Sequence, residues 1–202
     1  MLQISVWITA AALPLPALAQ SGNKLLTYND TFTKPWTPES TKFQWIAENK
    51  ETDGNYITDD PTTGSLYLNN ALNDNKTLYM DGNKLGFTYD EVSIQPSQEH
   101  ILIATNGTQQ YRWSVFTDYY IYNRKTKKVA PLVPDQAGDI QYATWSPKGN
   151  TIAFVRGNNI YIWNDGVITQ ATTDGGVDLF NGVPDWVYEE GMYPATVSPS
   201  FH

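Results

Sequence analysis

Two stretches of this sequence lie over one another at an offset of 51 residues. One is Gln95-Pro96-Ser97-Gln98-Glu99-His100-Ile101-Leu102-Ile103-Ala104; the other is Ser146-Pro147-Lys148-Gly149-Asn150-Thr151-Ile152-Ala153-Phe154-Val155. In each, a polar turn opened by proline leads into an apolar strand. A fainter copy begins at Pro38 and runs into Phe43-Gln44-Trp45-Ile46. A second recurring piece is a strand ending in asparagine before a polar turn. It occurs as Ser65-Leu66-Tyr67-Leu68-Asn69, Tyr119-Tyr120-Ile121-Tyr122-Asn123 and Ile160-Tyr161-Ile162-Trp163-Asn164. Long and polar positions alternate there, as in half-buried strands. Repeats of roughly 40–50 residues, each giving several short antiparallel strands, mark β-propeller blades. One blade cannot bury its faces alone, and stacked neighbours cover them for each other. The pattern predicts an all-β chain, a partial β-propeller of about three blades. A β-sandwich has similar strand spacing and is the alternative at this level. Closed propellers use four or more blades. The chain therefore reads as incomplete, or as one whose open edge a partner covers.

Composition narrows the functions. Of 202 residues, 13 are Lys or Arg and 21 are Asp or Glu, a formal net charge of -8. A binder of nucleic-acid phosphates needs a basic face, so that class is excluded as a default. Apolar residues make up 41% and charged residues 17%, enough for a core and too little charge for a disordered chain. With no cysteine there is no disulfide, no thiolate metal site and no Cys nucleophile. The two histidines, His100 and His202, cannot build a His-rich metal site. No G-x-S-x-G elbow, H-E-x-x-H or phosphate-binding glycine loop is present.

Residues 1–19 carry no charged side chain. An apolar run from Ile4 to Ala12, broken by Pro14 and Pro16, ends in Ala17-Leu18-Ala19. This is the pattern of a secretory signal peptide cut after Ala19. An uncleaved anchor is the alternative, but two prolines and no basic flank make a poor span. Secretion gives meaning to three N-x-[ST] sequons, at Asn29, Asn75 and Asn106.

The stretch Asn181-Gly182-Val183-Pro184-Asp185-Trp186-Val187-Tyr188-Glu189-Glu190 carries the chemistry. Asn181-Gly182 signals a turn, and Pro184-Asp185 reads as a helix start with Asp as cap. On a short helix Glu189 and Glu190 lie about 100° apart, with room for a cation between them. Two carboxylates offer acceptors to the three donors of an ammonium group, as on a free α-amino terminus. Arg112, between Tyr111 and Trp113, is a candidate cation for the empty pair and a donor for a peptide carbonyl. From residue types alone, a solvated acid pair and a surface arginine remain open.

This stretch resembles the double-glutamate motif of the dipeptidyl peptidase IV family. Asp135-Gln136-Ala137-Gly138-Asp139-Ile140-Gln141-Tyr142-Ala143 and Val155-Arg156-Gly157-Asn158-Asn159-Ile160-Tyr161-Ile162-Trp163 are similar to the strands before it. Asn106-Gly107-Thr108-Gln109-Gln110-Tyr111-Arg112 resembles that family's glycosylated strand and recognition arginine. Gly22-Asn23-Lys24-Leu25-Leu26-Thr27-Tyr28 resembles the mature start of its secreted fungal branch. The likeness covers roughly residues 22–190.

The resemblance implies a secreted serine exopeptidase of the prolyl oligopeptidase type, removing N-terminal Xaa-Pro or Xaa-Ala dipeptides without a cofactor. In that family an eight-bladed propeller supplies the amine anchor, and a C-terminal α/β-hydrolase domain supplies Ser, Asp and His. The substrate-binding roles fall on Arg112, Glu189 and Glu190; no position receives a triad residue. The implied partner is a peptide N-terminus, with a homodimer for full-length members and no stable membrane anchor. Where the family continues after Glu190 with a large residue, then Phe and more propeller, Gly191-Met192-Tyr193-Pro194 follows here. Trp113 stands where the family commonly places His.

The expected organisation is a signal peptide at 1–19, an N-terminal propeller portion at 20–190 and a divergent tail at 191–202. A short helix carries the double glutamate. The expected function is a propeller fragment that holds the amine anchor without the catalytic machinery, inactive alone. The competing expectation is a non-catalytic secreted β-propeller glycoprotein that acts as a binding module.

Overall fold

The computed structural model describes residues 27–29, 32, 42–46 and 54–192. The expected signal peptide, the Pro38 start of the faint repeat and residues 193–202 lie outside them. The chain divides into two units, 1–40 and 41–202. In the first, the rings of Tyr28 and Phe32 lie 4.8 Å apart. The second contains the strands.

Three four-stranded antiparallel meanders follow one another. The first is β1 (Phe43–Trp45), β2 (Asn55–Asp60), β3 (Ser65–Asn70) and β4 (Lys76–Met80). The second is β5 (Glu91–Ile94), β6 (His100–Gln109), β7 (Val115–Asn123) and β8 (Lys128–Pro131). The third is β9 (Ile140–Trp145), β10 (Thr151–Arg156), β11 (Asn159–Asn164) and β12 (Val167–Gln170). One residue pair, Thr117 with Ile140, links β7 to β9 and joins the second and third meanders into a continuous sheet. Each meander is one blade, so the partial propeller of three blades expected from the repeats is the architecture. The strands ending in asparagine are β3, β7 and β11, the third strand of each blade. The proline-opened turns at Gln95 and Ser146 both lead from a first into a second strand. The copy after Pro38 is out of phase, because Phe43–Trp45 is a first strand. Short apolar runs in any strand look alike, which is why the sequence misplaced it.

The middle blade explains the core. On β6, Ile101 and Ile103 point one way and Leu102 the other, and all three are buried. The first pair joins Ile57, Leu66, Tyr79, Met80 and Tyr122 between blades one and two. Leu102 joins Ile121, Ile140, Trp145, Ile152 and Phe154 between blades two and three. A strand covered on both faces reads as a continuous apolar run, and Ile101-Leu102-Ile103-Ala104 does. Polar groups tie the same seam. Gln95, buried on the β5–β6 turn, donates to Asn150 Oδ1 of the next blade (2.8 Å). Trp145 Nε1 donates to the Ser93 carbonyl (3.0 Å).

His100 belongs to this seam and not to a catalytic pair. Asn123 Oδ1 accepts from Thr126 N (2.8 Å), which turns its amide nitrogen to His100 Nε2 (2.9 Å). Nε2 is then the acceptor, and Nδ1 carries the proton towards Gln95 Oε1 (3.0 Å).

Tyr89 closes the exit of the first blade by donating to the Gly64 carbonyl (3.0 Å). Burial, then the neighbouring Asp59 and Asp60, push its hydroxyl up to about 12. The fold therefore favours the neutral phenol, while the unfolded chain ionises first, at its ordinary value of 10.0. This contribution to stability is complete below about pH 10 and is lost as the pH rises towards 12. Tyr89→Phe is expected to flatten the alkaline fall in melting temperature between about pH 9 and 11, compared by calorimetry with the unsubstituted chain. It should also cost about 1 kcal/mol at pH 7, where the Gly64 carbonyl loses its donor.

Candidate functional site

The hairpin of β6 and β7 outgrows its blade. Its regular register runs from His100 paired with Asn123 to Thr105 paired with Asp118. A bulge follows, and pairing resumes at Thr108 with Phe116 and Gln109 with Val115. Asn106 takes the left-handed backbone region (φ 57°) in the bulge, which asparagine tolerates well. Gly107 N donates to Asp90 Oδ2 (3.0 Å) and Asn106 Nδ2 to Asp118 Oδ2 (3.0 Å), fixing the base of the extended arm.

Residues 110–114 form the tip. Gln110 N donates to the Ser114 carbonyl (2.9 Å) and closes the turn. Gln109 Nε2 donates to the carbonyls of Tyr111 and Arg112, the latter at 2.9 Å. The N–H groups of the tip are taken up from the far end of the chain. Glu189 Oε1 accepts from Trp113 N and from Ser114 N (3.1 Å), and Glu189 Oε2 accepts from the Ser114 hydroxyl. Only 4% of Glu189 is exposed.

Glu189 gets there through a chain of turns after β12. Gly157 (φ 57°) and Asn158 (φ 58°) form the tight turn between β10 and β11. Asn158 and Gln141 exchange two hydrogen bonds, Asn158 N to Gln141 Oε1 (2.8 Å) and Gln141 Nε2 to Asn158 Oδ1 (2.7 Å). Asn158 Nδ2 then donates to the Gly176 carbonyl (2.8 Å), and its own carbonyl accepts from Asn181 N (3.1 Å). Asn159 Oδ1 accepts from Gly175 N (2.9 Å). This segment delivers the chain to Asp185, whose Oδ1 accepts from Val187 N and Tyr188 N, both at 3.0 Å. The cap expected at Asp185 is therefore present, and it starts a short helical stretch that runs in a wide π turn over Tyr188–Met192.

On that turn the two glutamates diverge. Glu189 faces the arm, and Glu190 is exposed. Arg112 is also exposed, with its guanidinium 5.7 Å from the centre of the Trp113 ring. Among the described residues Arg112 makes no ion pair with either glutamate, so the cation expected for the empty pair is not seated there. The structure thus brings the arginine loop and the double-glutamate turn together through backbone and hydroxyl donors. Sequence reasoning missed Ser114, Gln109 and Asn158. Of these only Asn158 had a local signal, the Gly-Asn turn between two strands.

A separate cleft of about 500 Å³ is lined by Phe116, Asp135, Asp139, Phe154, Arg156 and Tyr161, among others. It shares no lining residue with Arg112, Glu189 or Glu190. Arg156 spans it as a fixed ion pair, from Nε to Asp139 (2.7 Å) and from Nη1 to Asp135 (2.9 Å). The hydrogen bond and charge of Arg156 hold the Asp135 carboxyl below its usual range. The sequon residues Asn29, Asn75 and Asn106 are all exposed. No helix among the described residues is long and apolar enough to cross a membrane.

Residues 95–196 match the family described as dipeptidyl peptidase IV (DPP IV) N-terminal region. A probable dipeptidyl peptidase 4 of Aspergillus clavatus is 47% identical over 171 residues, which are 84% of this chain and 22% of that one. Dipeptidyl peptidase 4 of Trichophyton rubrum is 46% identical over 173 residues, 85% of this chain and 22% of that one. The crystal structure of Porphyromonas gingivalis dipeptidyl peptidase 4 matches with a TM-score of 0.63 and 29% identity, covering 69% of this chain and 21% of that one. The chain thus spans less than a quarter of the length of these relatives. The repeats, the three blades and the double-glutamate turn agree with one assignment: the chain belongs to the dipeptidyl peptidase IV N-terminal region family.

Proposed function

We propose that this chain supplies the amine anchor of a secreted dipeptidyl peptidase IV-type serine peptidase, which releases Xaa-Pro or Xaa-Ala dipeptides from peptide N-termini. Glu190 meets a free α-ammonium group, with the charge of Glu189 behind it on the same turn, and Arg112 donates to a peptide carbonyl beside it. The single observation that carries this reading is the direct seating of Glu189 on the loop that presents Arg112, from 75 residues away.

Anchoring a substrate's amine orients it but breaks no bond, because cleavage needs an activated nucleophile. These 202 residues contain no G-x-S-x-G elbow. The purified chain is expected to leave Gly-Pro and Ala-Pro reporter substrates intact. It is expected to bind Gly-Pro-Ala at least about tenfold more tightly than the N-acetylated peptide, since a charged hydrogen-bonded amine is lost on acetylation. Calorimetric titration with both peptides checks this. Equal affinity for the two, or turnover that vanishes in Glu189→Ala, would overturn the reading. Secretion through residues 1–19 and glycans on Asn29, Asn75 and Asn106 belong to the same proposal. A glycan on Asn106 would leave one N–H of that amide for Asp118.

A further inference from the structure

The two glutamates are neighbours in sequence and opposites in environment. A carboxylate offers about four acceptor sites. Glu189 has committed three of them to the arm: two backbone N–H groups and one hydroxyl. It is also 4% exposed, so it has little surface left to present to a ligand. Glu190 is exposed and accepts no hydrogen bond from any described residue. We propose that Glu189 is a positioning residue, the clasp that fixes the tip of the arm, and that Ser114 is its designed counterpart.

The physical case rests on satisfaction of the tip's backbone. Arg112 sits in the middle of five residues with no ladder of their own. Gln109 takes the carbonyls on one side of the loop, and Glu189 takes the N–H groups on the other. With both in place, the backbone on either side of Arg112 is held while its side chain is free to reach outward. Without Glu189, the Trp113 and Ser114 N–H groups have no partner in the chain and must turn to water. The tip then frays and the guanidinium samples many positions. The clasp's value to substrate binding rests on the reading given above, in which Arg112 meets the peptide. The clasp itself is a property of the chain alone.

The role separates from charge by conservative substitution. In Glu189→Gln the amide oxygen still accepts from both N–H groups, and the Ser114 hydroxyl rotates to accept from the amide nitrogen. The experiment is amide hydrogen exchange in the full chain, read at Trp113 and Ser114. Glu189→Ala is expected to speed exchange at both by about tenfold or more, as an opened local unit does. Glu189→Gln should stay within about threefold of the unsubstituted chain, and Ser114→Ala should fall between. Glu190→Ala should leave both amides unchanged. Exchange that is equally slow in Glu189→Ala, or equally fast in Glu190→Ala and Glu189→Ala, would overturn the clasp. So would a Glu189→Gln chain as unprotected as Glu189→Ala. Should Glu189→Ala fail to fold, the Gln, Ser114→Ala and Glu190→Ala comparison decides the matter alone. If the exchange pattern holds while free and acetylated Gly-Pro-Ala bind alike, the amine reading fails and the clasp stands.

Discussion

Gly82→Ala should prevent the first blade from closing. Gly82 follows β4 as the chain leaves that blade, and it is buried. A β-carbon built there falls inside the Gly64 carbonyl group and onto the Thr63 oxygen. Both are backbone, so no rotamer change relieves the overlap. The crossing point is also tied directly, since Gly82 N donates to the buried Ser65 hydroxyl (3.1 Å). Moving the chain away breaks that bond and pulls on Tyr89, which holds Gly64 from the other side. Overpacking that only a backbone shift can relieve, with a buried hydrogen bond lost besides, should cost about 3 kcal/mol or more. The measurement is urea unfolding of Gly82→Ala beside the unsubstituted chain, with Gly86→Ala as control. Gly86 has open space around its β-carbon position but a φ of 79°, so it reports conformational strain without the clash. A Gly82→Ala midpoint no lower than that control would show the crossing to be loose.

Asn158→Ala is expected to damage both stability and the site. The residue holds a left-handed backbone (φ 58°), which costs alanine roughly 1 kcal/mol more than asparagine. Its side chain also bonds Gln141 and the Gly176 carbonyl, each bond worth about 1 kcal/mol. The sum is about 2–3 kcal/mol, provided the terms add. Asn158→Gly keeps the backbone conformation and loses only the bonds, so it should fall about 1 kcal/mol short of the alanine variant. Thermal melts of the two variants separate these parts. The site effect follows from what Asn158 holds. Gly176, held by the Asn158 side chain, lies on the covalent route from β12 to Glu189. Releasing it gives the glutamate turn freedom, and amide exchange at Ser114 should rise in both variants. Protection at Ser114 that survives Asn158→Ala would mean that the turn is held by other contacts.

Much of the fold was legible because blades are made of local signals. Period-2 alternation and a closing asparagine marked β3, β7 and β11, since a half-buried strand imposes that alternation wherever it sits. The Asp185 cap was legible for the same reason: its acceptor serves N–H groups two and three residues on. The site was legible only in part. Glu189 and Glu190 were paired by adjacency, and their opposite burial depends on an arm reaching across from Ser114, which no local pattern encodes. Ser114 looks like any turn serine. Trp113 drew notice as an aromatic flanking Arg112, whereas its backbone N–H makes the contact with Glu189. The Pro38 copy shows the converse failure. A local likeness was real, but it could not say which strand of a blade it described.

The separation between the arm and its fastener sets an order of events during synthesis. Ser114 leaves the ribosome well before Glu189, with the whole third blade emerging in between. Translation at roughly 5–20 residues per second makes that interval several seconds, long beside the microseconds in which a hairpin forms. The nascent arm therefore spends its early life paired along its strands but untethered at its end, until the turn that locks it has been made.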